Sequence, residues 1–182
     1  LAHYYSSCCG QDVFWKIFEA YESFLHQNRL IDFDDMLVYC KELLLQRPDI
    51  LTAWQRKYQY ILIDEFQDIN QIQYDIIRML AAPQDNLFIV GDDDQSIYRF
   101  RGAKPEIMLN FTKDYPNAGK IILDTNYRSG AEIVKQAGNL ISFNEKRFEK
   151  QITPAAETGI PVVKQEFQTQ REQNLYVIQE IL

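Results

Sequence analysis

The chain has 182 residues, and its 46% apolar content can fill the core of an ordinary domain. Its 19 basic and 26 acidic residues give a net charge of -7, which argues against holding nucleic acid by bulk electrostatics. The sequence contains neither the roughly 18 unbroken apolar residues of a membrane span nor the basic and apolar regions of a secretory signal near residue 1. We therefore expect a cytoplasmic protein without a membrane partner.

The N-terminal part of the chain predicts three helices. Apolar residues recur every three or four positions across residues 11–28, as on one face of an amphipathic helix. A second helix is predicted to begin near Asp32, with Asp35 in position to complete a cap, and to end before Pro48. Pro48 suits the first turn of a further helix that ends near Lys57.

Three short apolar runs follow, each with the length of a buried strand. They cover residues 60–63, 87–90 and 120–123, and helical patterns separate them. Asn70 and Gln73 form a capping-box pattern at the start of the first intervening helix. The βαβαβ order predicts an α/β fold with a partial parallel sheet, flanking helices and a helical N-terminal segment.

Four further elements are predicted along the rest of the chain. A helix should run from Pro105 to just before Pro116, and another should open at Ser129, where S-G-A-E resembles a capping box. The segment PVVKQEF, residues 161–167, has the pattern of an edge strand, and residues 171–182 should form a closing helix.

Carboxylates or glycine follow all three predicted strands. Asp64 and Glu65 follow the first strand, Gly91 and Asp92 the second, and Asp124 the third. In open α/β sheets, ligands bind outside the carboxyl ends of the strands, so a cation there would explain adjacent acids. One acid near Mg²⁺ and a second beside the attacking water suit a nucleoside triphosphatase. On the Asp-Glu pair alone, a solvated turn stays open as the alternative.

Three longer motifs carry a resemblance to a known family. They are DEFQD at 64–68, VGDDDQSIYRFRGA at 90–103 and LDTNYRS at 123–129. In this order and spacing they closely resemble motifs II, III and IV of the superfamily 1A DNA helicases, the UvrD/Rep/PcrA family. LIDFDDML at 30–37 resembles the segment that leads into motif II. The resemblance covers nearly the whole chain and implies a P-loop NTPase (RecA-like) fold.

The resemblance also implies a division into domains. Residues 1–29 would end an inserted helical subdomain, residues 30–124 would form the later half of the first motor domain, and residues 125–182 would begin the second. The sequence contains no G-x-x-x-x-G-K-[ST] phosphate loop and nothing that resembles motifs V and VI. We therefore expect a fragment of an ATP-dependent DNA helicase that is inactive in isolation.

The resemblance implies that five residues act on ATP and Mg²⁺. Asp64 would hold Mg²⁺, and Glu65 would be the general base for hydrolysis. Gln95 would contact the γ-phosphate and the attacking water, for which an amide that both donates and accepts is suited. Arg128 would reach the γ-phosphate with its fixed positive charge, and Tyr127 would stack on adenine.

The same resemblance assigns a DNA contact to motif III. Asp68 would link motif II to motif III, where Tyr98 and Phe100 would stack on bases of single-stranded DNA beside the cation of Arg101. Stacking supplies roughly 1 to 3 kcal/mol per base without a basic surface, which suits an acidic protein. The family implies 3′ to 5′ translocation on single strands and unwinding at duplex junctions. Two core aromatics are the alternative for Tyr98 and Phe100.

Two other classes of protein stay open from the residues. In a metal-dependent nuclease, Asp92, Asp93 and Asp94 would supply ligands together with Asp64 and Glu65, although the NYRS motif would then be unexplained. A non-catalytic DNA- or partner-binding module derived from a helicase is the second alternative. A cleavage assay with Mg²⁺ or Mn²⁺ separates the nuclease from a motor.

Overall fold

The computed structural model describes residues 10–96, 102, 104–156 and 159–182. The chain forms two compact units, Leu1–Asn110 and Phe111–Leu182, and both combine helices with a small parallel sheet. The predicted α/β character is therefore confirmed. In the described parts of the chain, no helix is both long enough and apolar enough to cross a membrane.

Three helices open the first unit as the sequence predicts. They are α1 (Gln11–Asn28), α2 (Phe33–Gln46) and α3 (Pro48–Lys57). A reciprocal capping box begins α2, because the Asp35 N–H donates to Asp32 Oδ1 at 2.8 Å and the Asp32 N–H donates to Asp35 Oδ2 at 3.1 Å. The hydrogen bond from the Asp35 N–H stabilises the ionised form of the Asp32 carboxyl, so the pKa of Asp32 is lowered.

Helix α4 (Gln71–Ala81) packs against α2 and α3. Asn70 and Gln73 form the predicted capping box at its start, with hydrogen bonds of 3.0 and 2.9 Å. Lys41 on α2 pairs with Asp75 on α4 at 2.7 Å. Partial burial acts to raise the pKa of Asp75, but the hydrogen bonds from Lys41 and a neighbouring amide outweigh it, so the pKa is lowered.

The sheet of the first unit contains two described strands, β1 (Ile61–Ile63) and β2 (Leu87–Ile89). They are parallel, with Ile63 opposite Ile89 in the register. Hydrogen bonds continue beyond the strands, because the Val90 N–H donates to the Ile63 oxygen at 2.8 Å and the Phe66 N–H donates to the Val90 oxygen at 2.9 Å. The segments that leave the two strands are therefore held side by side.

The core of the first unit lies next to these strand ends. Phe66 is fully buried and meets Tyr74 edge to face, with ring centroids 6.0 Å apart. Helix α5 (Pro105–Leu109) packs against the turn that contains Phe66, and the Lys104 N–H donates to the Ile69 oxygen at 3.1 Å. Helix α5 and this hydrogen bond therefore hold the turn after β1 in place. The buried apolar residues of this unit are Leu25, Leu44, Phe66, Ile69, Tyr74, Ala81 and Ile107.

The second unit contains two short parallel strands, β3 (Thr125–Asn126) and β4 (Thr153–Pro154), and helix α7 (Ala131–Ile141) packs against β4. The closing helix predicted over residues 171–182 is confirmed as α8 (Gln170–Ile181), and Thr169 and Glu172 form a capping box at its start. The elements of this unit are α6 (Phe111–Asp114), β3 (Thr125–Asn126), α7 (Ala131–Ile141), β4 (Thr153–Pro154) and α8 (Gln170–Ile181).

Two predicted strands are wrong. Residues 120–123 are not a strand, and the pairing in this region falls instead on β3, which is parallel to β4 in a separate sheet. Ile121 and Leu123 are 85% and 82% exposed, so the apolar run has no neighbouring strand against which to bury. Asp124 consequently does not follow a third strand of the β1–β2 sheet. Residues 161–167 also lack strand structure, and Val163 there is 72% exposed.

Two helix predictions need correction. The single helix expected between Pro105 and Pro116 is two short helices, α5 and α6, interrupted at Asn110 with φ -98° and ψ 5°. Helix α7 is capped by Gly130 rather than by Ser129. The reason is local, because the Ser129 N–H donates to the side chain of Asn126 at 2.8 Å and is drawn into the preceding turn.

Candidate functional site

Two short turns meet at the carboxyl ends of β1 and β2. Asp64 and Glu65 leave β1 and enter a 3-10 turn at Phe66–Asp68. Beyond β2 the chain passes through Asp92 into a second 3-10 turn at Asp93–Gln95. The candidate site consists of these two turns, as the position of ligand sites in open α/β sheets predicts.

Glu65 has a left-handed backbone conformation, with φ 50° and ψ 41°. For a residue other than glycine this conformation costs roughly 1 to 2 kcal/mol. Its side chain is exposed, and its N–H donates a hydrogen bond to Asp64 Oδ1 at 2.9 Å. Residues held in such conformations concentrate at functional sites, so the turn at Glu65 is a candidate functional site.

Gln67 is the central polar side chain of the site and is only 2% exposed. Its Nε2 donates to Glu65 Oε2 at 2.7 Å, and its Oε1 accepts the Asp92 N–H at 3.0 Å. The chemistry of the partners fixes the orientation of this amide, because a carboxylate only accepts and a backbone N–H only donates. Gln67 therefore joins the turn after β1 to the turn after β2.

Gly91 allows this approach of the two turns. A Cβ atom at Gly91 would lie 2.6 Å from Gln67 Oε1, 3.1 Å from the Phe66 nitrogen and 3.2 Å from the Gln67 nitrogen. Side-chain and backbone atoms thus occupy the space that any other residue would need. Glycine at the end of β2 is required by packing against the neighbouring turn.

The contacts continue from Asp92 to Gln95. Gln95 Nε2 donates to Asp92 Oδ2 at 2.9 Å, and the Asp94 N–H donates to Asp92 Oδ1 at 3.2 Å. Glu65, Gln67, Asp92 and Gln95 therefore form one hydrogen-bonded series, which we call the amide–carboxylate series. Among the described residues, Gln67 joins the turn after β1 to the turn after β2. The link predicted for Asp68 stays a prediction, because residues 97–101 and 103 of the segment that resembles motif III lie outside the described residues.

Carboxylate oxygens of Asp92, Asp93 and Asp94 lie within 4.8 Å of one another. Such oxygens are suitable ligands for a hard cation such as Mg²⁺. The Asp92 carboxylate already accepts the hydrogen bonds from Gln95 and Asp94, so it also organises the turn. The cluster thus has a structural role that requires no ion.

The second unit presents the remaining candidate ATP-binding residues on a fixed turn. Asn126 Oδ1 accepts the N–H groups of Arg128 at 2.9 Å and of Ser129 at 2.8 Å. These two bonds form an Asx turn that holds the backbone between β3 and α7. Tyr127 is 85% exposed, and Arg128 is exposed as well. The Tyr127 ring and the Arg128 guanidinium, on consecutive residues, are therefore both accessible.

The predicted site residues fall into three groups. Asp64, Glu65 and Gln95 lie in the two turns of the first unit, whereas Tyr127 and Arg128 lie in the second unit. The predicted DNA-binding residues fall outside the residues that the structure describes; they are Tyr98, Phe100 and Arg101.

Gln67 and Asn126 were not predicted as site residues, and Gly91 was placed at the carboxyl end of the second strand without its packing role. The available signal for Gln67 was the amide between the acids of DEFQD, and the signal for the packing role of Gly91 was its place directly after an apolar strand. Asn126 could have been found as a turn-forming residue between a short strand and a helix.

The first unit is thus an α/β domain with acidic turns at the carboxyl ends of parallel strands. The UvrD/REP helicase N-terminal domain matches residues 5–116, more than half of the chain. The Bacillus subtilis protein YjcD, provisionally named an ATP-dependent DNA helicase, is 44% identical over 164 residues, which are 90% of this chain and 22% of YjcD. The ATP-dependent DNA helicase PcrA of Staphylococcus aureus is 39% identical over 166 residues, which are 91% of this chain and 23% of PcrA.

The chain belongs to the UvrD/REP helicase family. It spans less than a quarter of the length of the curated relatives that it matches.

Proposed function

We propose that this chain supplies ATP-hydrolysing and DNA-coupling residues, motifs II to IV, to an ATP-dependent DNA helicase of superfamily 1A. The observation that carries the proposal is the amide–carboxylate series, which joins Glu65 to Gln95 across the ends of two parallel strands. The relatives support the same activity, since PcrA is named an ATP-dependent DNA helicase and YjcD is provisionally named one. The proposed framework is a P-loop NTPase (RecA-like) fold.

In the proposed mechanism, Glu65 accepts a proton from the water that attacks the γ-phosphate of ATP. Asp64 holds Mg²⁺, and its exposed carboxylate at the end of β1 offers the oxygen ligand that this cation prefers. When bound, Mg²⁺ neutralises charge on the phosphate oxygens.

Three further side chains have proposed roles in ATP hydrolysis. Gln95 contacts the γ-phosphate and orients the attacking water, because its amide group both donates and accepts. Arg128 stabilises the charge that develops on the transferred phosphoryl group, and Tyr127 stacks on adenine. Their exposure on the Asx turn of the second unit supports these roles.

The proposed DNA partner is single-stranded DNA next to a duplex junction. Tyr98 and Phe100 would stack on bases, and Arg101 would add a local cation. These assignments depend on the family resemblance alone, as does 3′ to 5′ translocation. Stacking accounts for DNA binding by a chain with a net charge of -7.

A strand-displacement assay tests this function in the complete protein that contains the chain. Partial duplexes with a 3′ or a 5′ single-stranded tail are incubated with ATP and Mg²⁺, and Glu65→Gln is the matched control. We expect unwinding of the 3′-tailed duplex, which Glu65→Gln abolishes. Failure to unwind either duplex would contradict the proposal, and metal-dependent strand cleavage without ATP would instead support the nuclease.

The 182-residue chain alone should not hydrolyse ATP. Phosphoryl transfer is catalysed mainly by positioning and by charge stabilisation, and the phosphate loop that performs both is not in this sequence. The acids of the candidate site would repel a triphosphate. We expect turnover at background with and without DNA; turnover that Glu65→Gln abolishes would contradict this expectation.

A further inference from the structure

We propose that Gln67 is a positioning residue, which holds the Glu65 carboxylate for proton transfer and couples it to the turn that carries Gln95. The proposal rests on the proposed function, in which Glu65 is the general base. Gln67 would not touch ATP or the attacking water itself. It would act through Glu65 on one side and through Asp92 on the other.

The Gln67 side chain is held in one position by burial and by its hydrogen bonds. Its exposure is 2%, and both ends of its amide make hydrogen bonds, to Glu65 at 2.7 Å and to the Asp92 N–H at 3.0 Å. Gly91 packs directly beside Gln67 Oε1, since a Cβ atom added at Gly91 would lie only 2.6 Å from this oxygen. Gln67 is therefore a fixed point against which a more mobile side chain can be held.

The Glu65 side chain needs such support. It is exposed and long, so the carboxylate could adopt many positions without a partner. Gln67 donates its hydrogen bond to Glu65 Oε2, so Oε1 is available to accept the proton.

Gln67 is also connected to Gln95 through Asp92. The Asp92 N–H donates to Gln67 Oε1, and the Asp92 carboxylate accepts a hydrogen bond from Gln95 Nε2. A shift of Gln95 on contact with a phosphate would therefore reach Glu65 through only two intermediate residues. The amide–carboxylate series is a contiguous physical route between the proposed phosphate sensor and the proposed base.

The test compares steady-state ATP hydrolysis by variants of the complete protein at saturating single-stranded DNA. Gln67→Met removes both hydrogen bonds at similar side-chain volume. Gln67→Glu retains an acceptor for the Asp92 N–H but replaces the donor to Glu65 with a second carboxyl group. Gln71→Glu is the matched control, because Gln71 Nε2 donates to Asp75 Oδ1 at 3.0 Å on α4 and makes the same kind of amide–carboxylate contact.

We expect kcat to fall roughly 10- to 100-fold in both Gln67 variants, as a misplaced catalytic group does, while KM for ATP changes less than about 3-fold. Gln71→Glu should keep the wild-type kcat and KM. Amide hydrogen exchange in α4 verifies that each variant is folded. If Gln67→Met does not fold, Gln67→Glu decides the outcome, since it keeps the buried contact to Asp92.

A double variant separates positioning from general damage. In a Glu65→Gln background, Gln67→Met should lower the residual kcat by no more than about 2-fold, because the group that it positions is already absent. Equal losses in both backgrounds would overturn the inference, and so would folded Gln67 variants with the wild-type kcat while Glu65→Gln is impaired. If Glu65→Gln itself keeps the wild-type kcat, the proposed role of Glu65 fails first.

Discussion

Replacing Gly91 by alanine tests the contact between the two turns without changing any polar group. The added methyl group would lie 2.6 Å from Gln67 Oε1, well inside van der Waals contact, and the Phe66 and Gln67 nitrogens at 3.1 and 3.2 Å limit its retreat. Either Gln67 moves or the turns separate. Overpacking of this kind costs about 1 to 3 kcal/mol of folding free energy.

The same displacement should impair hydrolysis. Moving Gln67 Oε1 lengthens its 3.0 Å hydrogen bond from the Asp92 N–H and shifts the donor that holds Glu65. We expect a loss of roughly 10-fold or more in ATP turnover by the complete protein, since a misplacement of about 1 Å can cost that much. Faster amide hydrogen exchange in residues 61–68 and 87–95 should accompany it.

Gly138→Ala is the matched control. Gly138 lies within α7, and a Cβ there meets no atom within 4 Å. Alanine should stabilise this helix by about 0.5 to 1 kcal/mol and leave turnover unchanged. If Gly91→Ala matched Gly138→Ala in both hydrogen exchange and turnover, the close packing of the two turns would be refuted.

Three other substitutions have defined outcomes. In urea denaturation, the free energy of unfolding should be about 1 kcal/mol higher for Glu65→Gly than for Glu65→Ala, because glycine tolerates φ 50°. Equal free energies of unfolding would contradict the left-handed turn. Lys41→Met should weaken the protection of α4 amides by about 0.5 to 1 kcal/mol near neutral pH. Because Lys41 lowers the pKa of Asp75, this stabilisation exists above the ordinary value of 3.8 and is lost as pH falls through the lowered pKa; a cost independent of pH would argue against the pair. Phe100→Ala should weaken single-strand binding by about 1 to 3 kcal/mol with little effect on DNA-free turnover, whereas unchanged affinity together with a lower melting temperature would indicate a core residue.

Features that depend on a few neighbouring residues could be predicted from the sequence. The capping boxes at Asp32 and Asn70 each need a partner only three positions away, and both are confirmed. The same rule failed at Ser129, because the side chain of Asn126 takes its N–H first. Competing local hydrogen bonds decide such cases, and a four-residue pattern does not contain the competitor.

Features that depend on distant partners were predicted less well. The run at residues 120–123 has the composition of a strand, but a strand also needs a neighbour for its backbone hydrogen bonds. Gln67 was missed for the same physical reason. Its role depends on Asp92, 25 residues further along the chain, and on the space left by Gly91. Neither is visible in DEFQD alone.

The central claim is that Glu65 is the base for ATP hydrolysis in the complete protein. The most direct measurement determines ATP affinity and hydrolysis rate for wild type and Glu65→Gln at saturating single-stranded DNA. The account predicts affinity within about 3-fold and hydrolysis lowered by roughly 10² to 10⁴, the usual contribution of a general base. A Glu65→Gln protein that hydrolyses ATP at the wild-type rate would contradict the account.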